Sequence, residues 1–305
     1  MSHIEEEEDD VTTEEDEDFE ETQAETTETS EVAVAQPKKE LQVKTDTEKL
    51  ETFKFTLSYE QRSALEKLLT SMKTMSMDEA TFEWNGNLHL RQMDPSRVAA
   101  IDATVDTGLG ISALANEQPL TKRKFTVNID QFLRAVKKLH GATIEVADKV
   151  TFTMGRTRLT MPVLNDPEPT PDVAKSLDGK LGISTTLEYD KIRKCILLFS
   201  NEPDHVTLTA KEGKLWINAE NDFQSMEDQI EDAKGEGHAI YNMACLEALK
   251  GYYKWTILFG DNMPLKASTI ETDTVYVGVV GMDRRSEQRT VALVSIFIAP
   301  RIESD

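Results

Sequence analysis

The chain has 305 residues, a net charge of -22 and two cysteines, Cys195 and Cys245. That length suffices for two ordinary domains, and two cysteines exclude a disulfide framework or a C-x-x-C metal site. No apolar run approaches the ~18 residues of a membrane span, and acids follow Met1 almost at once. Neither a membrane partner nor a secretory leader is therefore expected, and a reducing intracellular compartment fits.

The charge is unevenly placed. Residues 1–52 hold 20 of the 56 acidic residues and 4 of the 34 basic ones, which gives -16 there and -6 for the rest. This segment, dense in Glu, Asp and Thr, is too poor in apolar residues to offset the entropy of ordering and is expected to be a disordered acidic tail.

Residues 53–164 read as one domain. FKFTLSYEQRSALEKLLTSMK, from Phe53, is a strand feeding a helix. ATFEW and NLHLRQMD are joined at Asn85-Gly86, a strong hairpin signal. PSRV is a turn and AAIDATV a further strand. FTVNIDQFLRAVKKLH, from Phe125, alternates and then changes to a helical period, apolar underneath and basic on top. TIEVA, KVTFTMG and TRLTMPVL close the domain as a meander. Residues 165–180, with Pro167, Pro169 and Pro171, show no helical or strand period and are expected to be an extended linker.

Residues 181–305 repeat the plan. GISTTLEYDKIRKCILLFSN is a strand and helix, and HVTLTAKEG with KLWINAEND a hairpin. The acidic DFQSMEDQIED comes next, then a strand and helix in HAIYNMACLEALKGYYK. WTILFG, MPLKASTIE, TVYVGVVGM and TVALVSIFIAPRIE are strands, and GMDRRSEQR is a charged loop. Four strand-then-helix units, two per half, indicate internal duplication. Each helix carries cations: Arg62, Lys67 and Lys73; Arg134, Lys137 and Lys138; Lys191, Arg193 and Lys194; Lys250 and Lys254. Basic helices in a mildly acidic body imply segregated charge, able to hold a polyanion on one face. The fold class is α+β, with antiparallel sheets covered by few short helices.

Local catalytic motifs are missing. There is no P-loop, dinucleotide-binding glycine turn or nucleophile elbow, and the five histidines are isolated. No enzyme, metal or cofactor is expected.

Taken together, LHLRQMDPSRVAAIDATV from Leu88, LGI at Leu181, MPLKAS at Met263 and IAPRIE at Ile298 resemble, in order, segments of DNA sliding clamps of the proliferating-cell-nuclear-antigen type. The resemblance covers residues 53–305. It implies a DNA-clamp fold: two similar domains, each with antiparallel sheets and two short helices, closing head-to-tail into a homotrimeric ring. Two features depart from the family pattern, the acidic N-terminal extension and a longer stretch between Glu271 and Leu293 (an insertion near residues 272–292), where an added strand or hairpin is expected.

The resemblance further implies a processivity factor that encircles double-stranded DNA independently of sequence and serves a DNA polymerase, a clamp loader and other replication proteins. Arg62, Lys67, Lys73, Arg134, Lys137, Lys138, Lys191, Lys194, Lys250 and Lys254 would face DNA. A partner-peptide pocket would be lined by Met93, Arg97, Val98, Leu181, Ile183, Pro264, Phe297, Ala299 and Pro300. TRLTMPVL and FQSMEDQI would be the subunit edges, with Arg156, Arg158, Phe223, Glu227 and Asp228 at the contact. Such a protein would work in the cytoplasm of a prokaryote or virus-infected cell, or in a eukaryotic nucleus. Two other readings stay open: a subunit of a heterotrimeric or checkpoint-type clamp, and an acidic scaffold protein without a DNA role.

Overall fold

The computed structural model describes residues 52–107, 123–164, 170–277 and 285–301. The expected acidic tail, the start of LTKRKFTVNI, the linker's first residues and most of TVYVGVVGM lie outside them.

Two strings of elements follow one another. The first is β1 (Phe53–Thr56), α1 (Tyr59–Thr74), β2 (Glu79–Trp84), β3 (Asn87–Met93), β4 (Ala99–Asp106), β5 (Arg123–Asn128), α2 (Ile129–Lys138), β6 (Thr143–Val146), β7 (Lys149–Met154) and β8 (Thr157–Pro162). After a short helix α3 (Val173–Leu177) come β9 (Ile183–Glu188), α4 (Tyr189–Ile196), β10 (His205–Lys211), β11 (Lys214–Glu220), β12 (Ser225–Lys234) and β13 (Gly237–Asn242). The second string ends with α5 (Met243–Leu246), a 3-10 turn (Glu247–Gly251), β14 (Lys254–Phe259), β15 (Leu265–Val277) and β16 (Arg285–Ile298). The order of strands and helices is the same in both halves, as the four strand–helix units predict.

The pairings repeat as well. β1, β6, β7 and β8 pair in that order, as do β9, β14, β15 and β16; β5-β2-β3-β4 corresponds to β13-β10-β11-β12. Every named ladder is antiparallel. The halves are joined by β16, which pairs with β4 from Ala292↔Val105 to Ile298↔Ala99, so that twelve strands form one sheet.

Local chemistry explains the helices. Ser58 caps α1 in a reciprocal capping box with Gln61, and Asn128 caps α2 through the Gln131 amide. Phe132, Leu133 and Val136 of α2 are buried, as their spacing predicts, while Arg134, Lys137 and Lys138 are exposed. Most buried apolar residues of both halves belong to one continuous core that includes Phe82, Phe125, Phe132, Tyr241, Trp255 and Phe259. Gly235 sits at φ +89, where a Cβ would lie 2.5 Å from the Gly182 carbonyl oxygen, so only glycine lets β12 close onto β9 there.

Three expectations need correction. The linker carries a helix, because Asp172 caps the Lys175 amide and Leu177 finds an apolar patch. Arg285–Arg289, read as part of a loop, is strand: it pairs with Asp273–Val277 and prolongs the last hairpin beyond a bulge at Glu271/Thr272. The fourth basic helix ends in the 3-10 turn at Gly251, so Lys254 starts β14.

Candidate nucleic-acid interface and docking surfaces

The helices pack side by side on the core side of the sheets. α1 lies against α2 on one flank and against the 3-10 turn on the other, and α4 touches that turn. The Ser71 hydroxyl donates to the Ala248 carbonyl at 2.7 Å, which ties α1 of the first half to the turn of the second.

The ten cations assigned to DNA fall into three groups. Arg134, Lys137 and Lys138 on α2, Lys194 on α4 and Lys250 on the 3-10 turn are exposed and make no ion pair among the described residues. Four others are engaged within the chain. Arg62 pairs with Glu66 at 2.6 Å and lies over the Tyr59 ring, and Lys67 bonds Glu271 and lies over Tyr252. Lys73 pairs with Asp130, and Lys191 with Glu231 at 2.6 Å, a hydrogen bond that holds the Glu231 carboxyl below the usual range. Lys254 is exposed too, but β14 has a period of two. Its neighbour Trp255 points into the core and donates to Leu249, so Lys254 faces away from the helices. Arg193, exposed beside Lys194, is a cation the assignment left out.

The expected subunit edges are open. Among the described residues β8 pairs only with β7, and five of its six residues are exposed. β12 pairs with β11 along its length, and on its other side meets β9 only at Ala233 and Lys234. Arg156 and Arg158 are exposed at the first edge. Phe223, Glu227 and Asp228 are exposed at the second, where Glu227 already pairs with Lys211 at 2.9 Å. Exposed apolar residues missed by the sequence reading flank both edges. Met154 and Leu159 stand at β7 and β8. Leu197 and Leu198 follow α4, whose end is tied to the β12 side by the Ser200 amide donating to Gln224 at 2.9 Å. Their signal was present as LL at the end of a helical period, but periodicity alone does not distinguish a core position from an uncovered one.

On the sheet face opposite the helices, Ala100, Phe297 and Leu177 form a separate apolar cluster, with Met93, Leu181 and Met263 packed against it. Next to it a cleft of about 690 Å³ gathers Val98, Ala299 and Pro300 with His205, Asn242, Met243 and Arg301. The Ala299 amide donates to the Val98 carbonyl at 2.7 Å, and Arg301 reaches His205 Nδ1 at 2.8 Å. Most of the predicted pocket thus falls in two adjoining sites. Arg97 is exposed in the turn beside them at φ 60, and Pro264 is half-buried next to Met263. Ile183 is not in the pocket: it is 1% exposed within the main core, on the helix-facing side of β9.

No His/Cys/Asp/Glu group suited to a metal occurs among the described residues, and none of their helices is long and apolar enough to cross a membrane. Burial, then the charge of Asp228, pushes the Cys195 thiol up to about 11, far from nucleophilic use.

The fold has clear counterparts among solved structures. PCNA from Thermococcus kodakaraensis is similar with a TM-score of 0.61 at 17% identity, over 82% of this chain and 100% of that one. A chain of the PCNA2-PCNA3 complex from Sulfolobus tokodaii gives 0.57 at 18%, over 82% and 99%. The A. fulgidus PCNA bound to the C-terminal region of FEN-1 gives 0.58 at 16%, over 83% and 99%. No family model and no curated protein matches the sequence. The chain has the fold of the PCNA sliding clamps.

Proposed function

We propose that this chain is a sliding-clamp subunit that closes with copies of itself into a homotrimeric ring around duplex DNA. Residues 53–164 and 181–305 act as its two clamp domains, joined by the linker 165–180. One observation carries the reading. Inside the chain, β16 of the second half pairs with β4 of the first. By the internal repeat β8 is the counterpart of β16 and β12 the counterpart of β4, yet among the described residues β8 and most of β12 have no such partner. A second copy's β12 laid on β8 would repeat the inner junction between chains. Repetition of that head-to-tail contact closes a ring when the rotation closes.

The free cations on α2, α4 and the 3-10 turn would then line the hole. Lysine and arginine contacts to phosphate carry no sequence information, so the ring would hold DNA without fixing a register. Retention would come from topology. DNA polymerase, clamp loader and other replication proteins would be tethered by extended peptides on the outer face, through the Phe297 patch and the Val98–Ala299 cleft. The A. fulgidus PCNA, solved with a FEN-1 segment, offers a parallel for such docking. The chain needs no catalytic chemistry for this role, and we read it as non-enzymatic and intracellular.

The test is DNA retention. Lys137→Glu with Lys138→Glu should shorten the lifetime of clamps loaded on circular DNA by about tenfold or more while leaving assembly unchanged. Unchanged retention would remove the assignment of this face. The Sulfolobus structure holds two different PCNA chains, and a chain that assembles only with a different partner would support the heteromeric reading instead.

A further inference from the structure

The outer-face patch is already covered by the chain's own linker. α3 sends Leu177 onto Ala100 and Phe297, with Val173 and Ala174 beside it. Phe297 is left 3% exposed and Ala100 5%, although both lie on the sheet face away from the helices. The helix is pinned at its start. Asp172 accepts from the Lys175 amide at 3.0 Å and receives Arg91 Nη1 at 3.2 Å, while Arg91 Nη2 lies 2.9 Å from Asp102 on β4. At its end Gly179 stands at φ +69 with open space around it, a hinge that a side chain would strain.

We propose that Leu177 is the resident occupant of the peptide pocket and that Arg91–Asp172 is its latch. An incoming peptide seats an aliphatic side chain on Ala100 and Phe297 only by displacing Leu177 and swinging α3 away. This rests on the peptide-docking reading above and adds its regulation: the free site is shut by five helical residues and one ion pair. A helix this short has little stability of its own, so packing and the latch decide its position. Arg91 and Asp172 are each more than a third exposed or close to it, at 34% and 40%, so salt should loosen the latch.

The experiment uses the full chain and a synthetic peptide carrying aliphatic and aromatic anchors. Asp172→Asn removes the charge and keeps a good helix cap, and Leu177→Ala removes the occupant. Peptide affinity should rise about two- to fivefold in Asp172→Asn at low salt, with the gain fading at high salt, and more in Leu177→Ala. In the wild type, hydrogen exchange at the Lys175 and Ser176 amides should quicken when peptide is added. Weaker binding by either variant, or protection of these amides by peptide, would overturn the proposal by making α3 a wall of the pocket. If no variant binds peptide while Asp172→Asn still speeds exchange, the docking reading fails and the competition with it, leaving only an intrachain contact.

Discussion

The molecule holds one completed junction, β16 on β4, and two strands, β8 and β12, that the proposed assembly would join in the same way. At the inner one, β16 and β4 share seven paired positions, and Ile296, Ile298, Ile101 and Ala103 are each at most 1% exposed. At the outer one, β8 and β12 carry Leu159 at 41% and, nearby, Leu197, Leu198 and Phe223 at 66–80% exposure. The internal repeat makes the strands equivalent, but only one pair is complete within a single chain. Uncovered strand edges flanked by apolar side chains are a liability unless something covers them. This difference is the ground on which we propose assembly, with a second copy supplying the strand that β8 lacks.

Substitutions should separate the two junctions. The largest effect is expected from Leu197→Asp with Leu198→Asp, which places charge in the outer contact. Assembly should be lost, with solution mass falling to that of one 34.3 kDa chain, and the monomer's melting temperature should barely change. Ile296→Ala does the reverse: a cavity in the inner junction should cost about 2–5 kcal/mol in chemical denaturation. Leu159→Ala, at the equivalent edge, should cost under about 0.5 kcal/mol in the monomer yet weaken assembly.

The smallest effect concerns pH. Burial raises the Asp102 carboxyl, but the His89 hydrogen bond and the Arg91 charge outweigh it and hold the group below its ordinary 3.8. A depressed carboxylate contributes stability that is present above the unfolded pKa and lost as pH falls through the folded one. Acid should thus loosen β3–β4 beside the inner junction below about pH 4, and Asp102→Asn should flatten that part of the stability profile.

Much of this was legible in the sequence. The change of period at Ile129, the Asn85-Gly86 hairpin and the first three strand–helix units form as read, because each depends on local spacing. The misreadings have tertiary causes. Lys254 continues a basic helix in sequence, but the turn at Gly251 ends that helix three residues earlier. Ile183 sits two residues from Leu181, but β9 begins only at Ile183 and turns it into the core. Lys67 and Lys191 looked free because their partners, Glu271 and Glu231, are 204 and 40 residues away. The helix in the linker is five residues long, too short for a period to show.

The most direct test is solution mass by light scattering over a range of salt, on the wild type and on Leu197→Asp/Leu198→Asp. The account predicts about three times 34.3 kDa for the wild type. Because Arg156 and Arg158 on one edge would face the acidic β12 on the other, the assembly should weaken as salt screens them. A wild type that stays monomeric at every salt concentration, indistinguishable from the double variant, would contradict the claim that a second copy completes the outer junction.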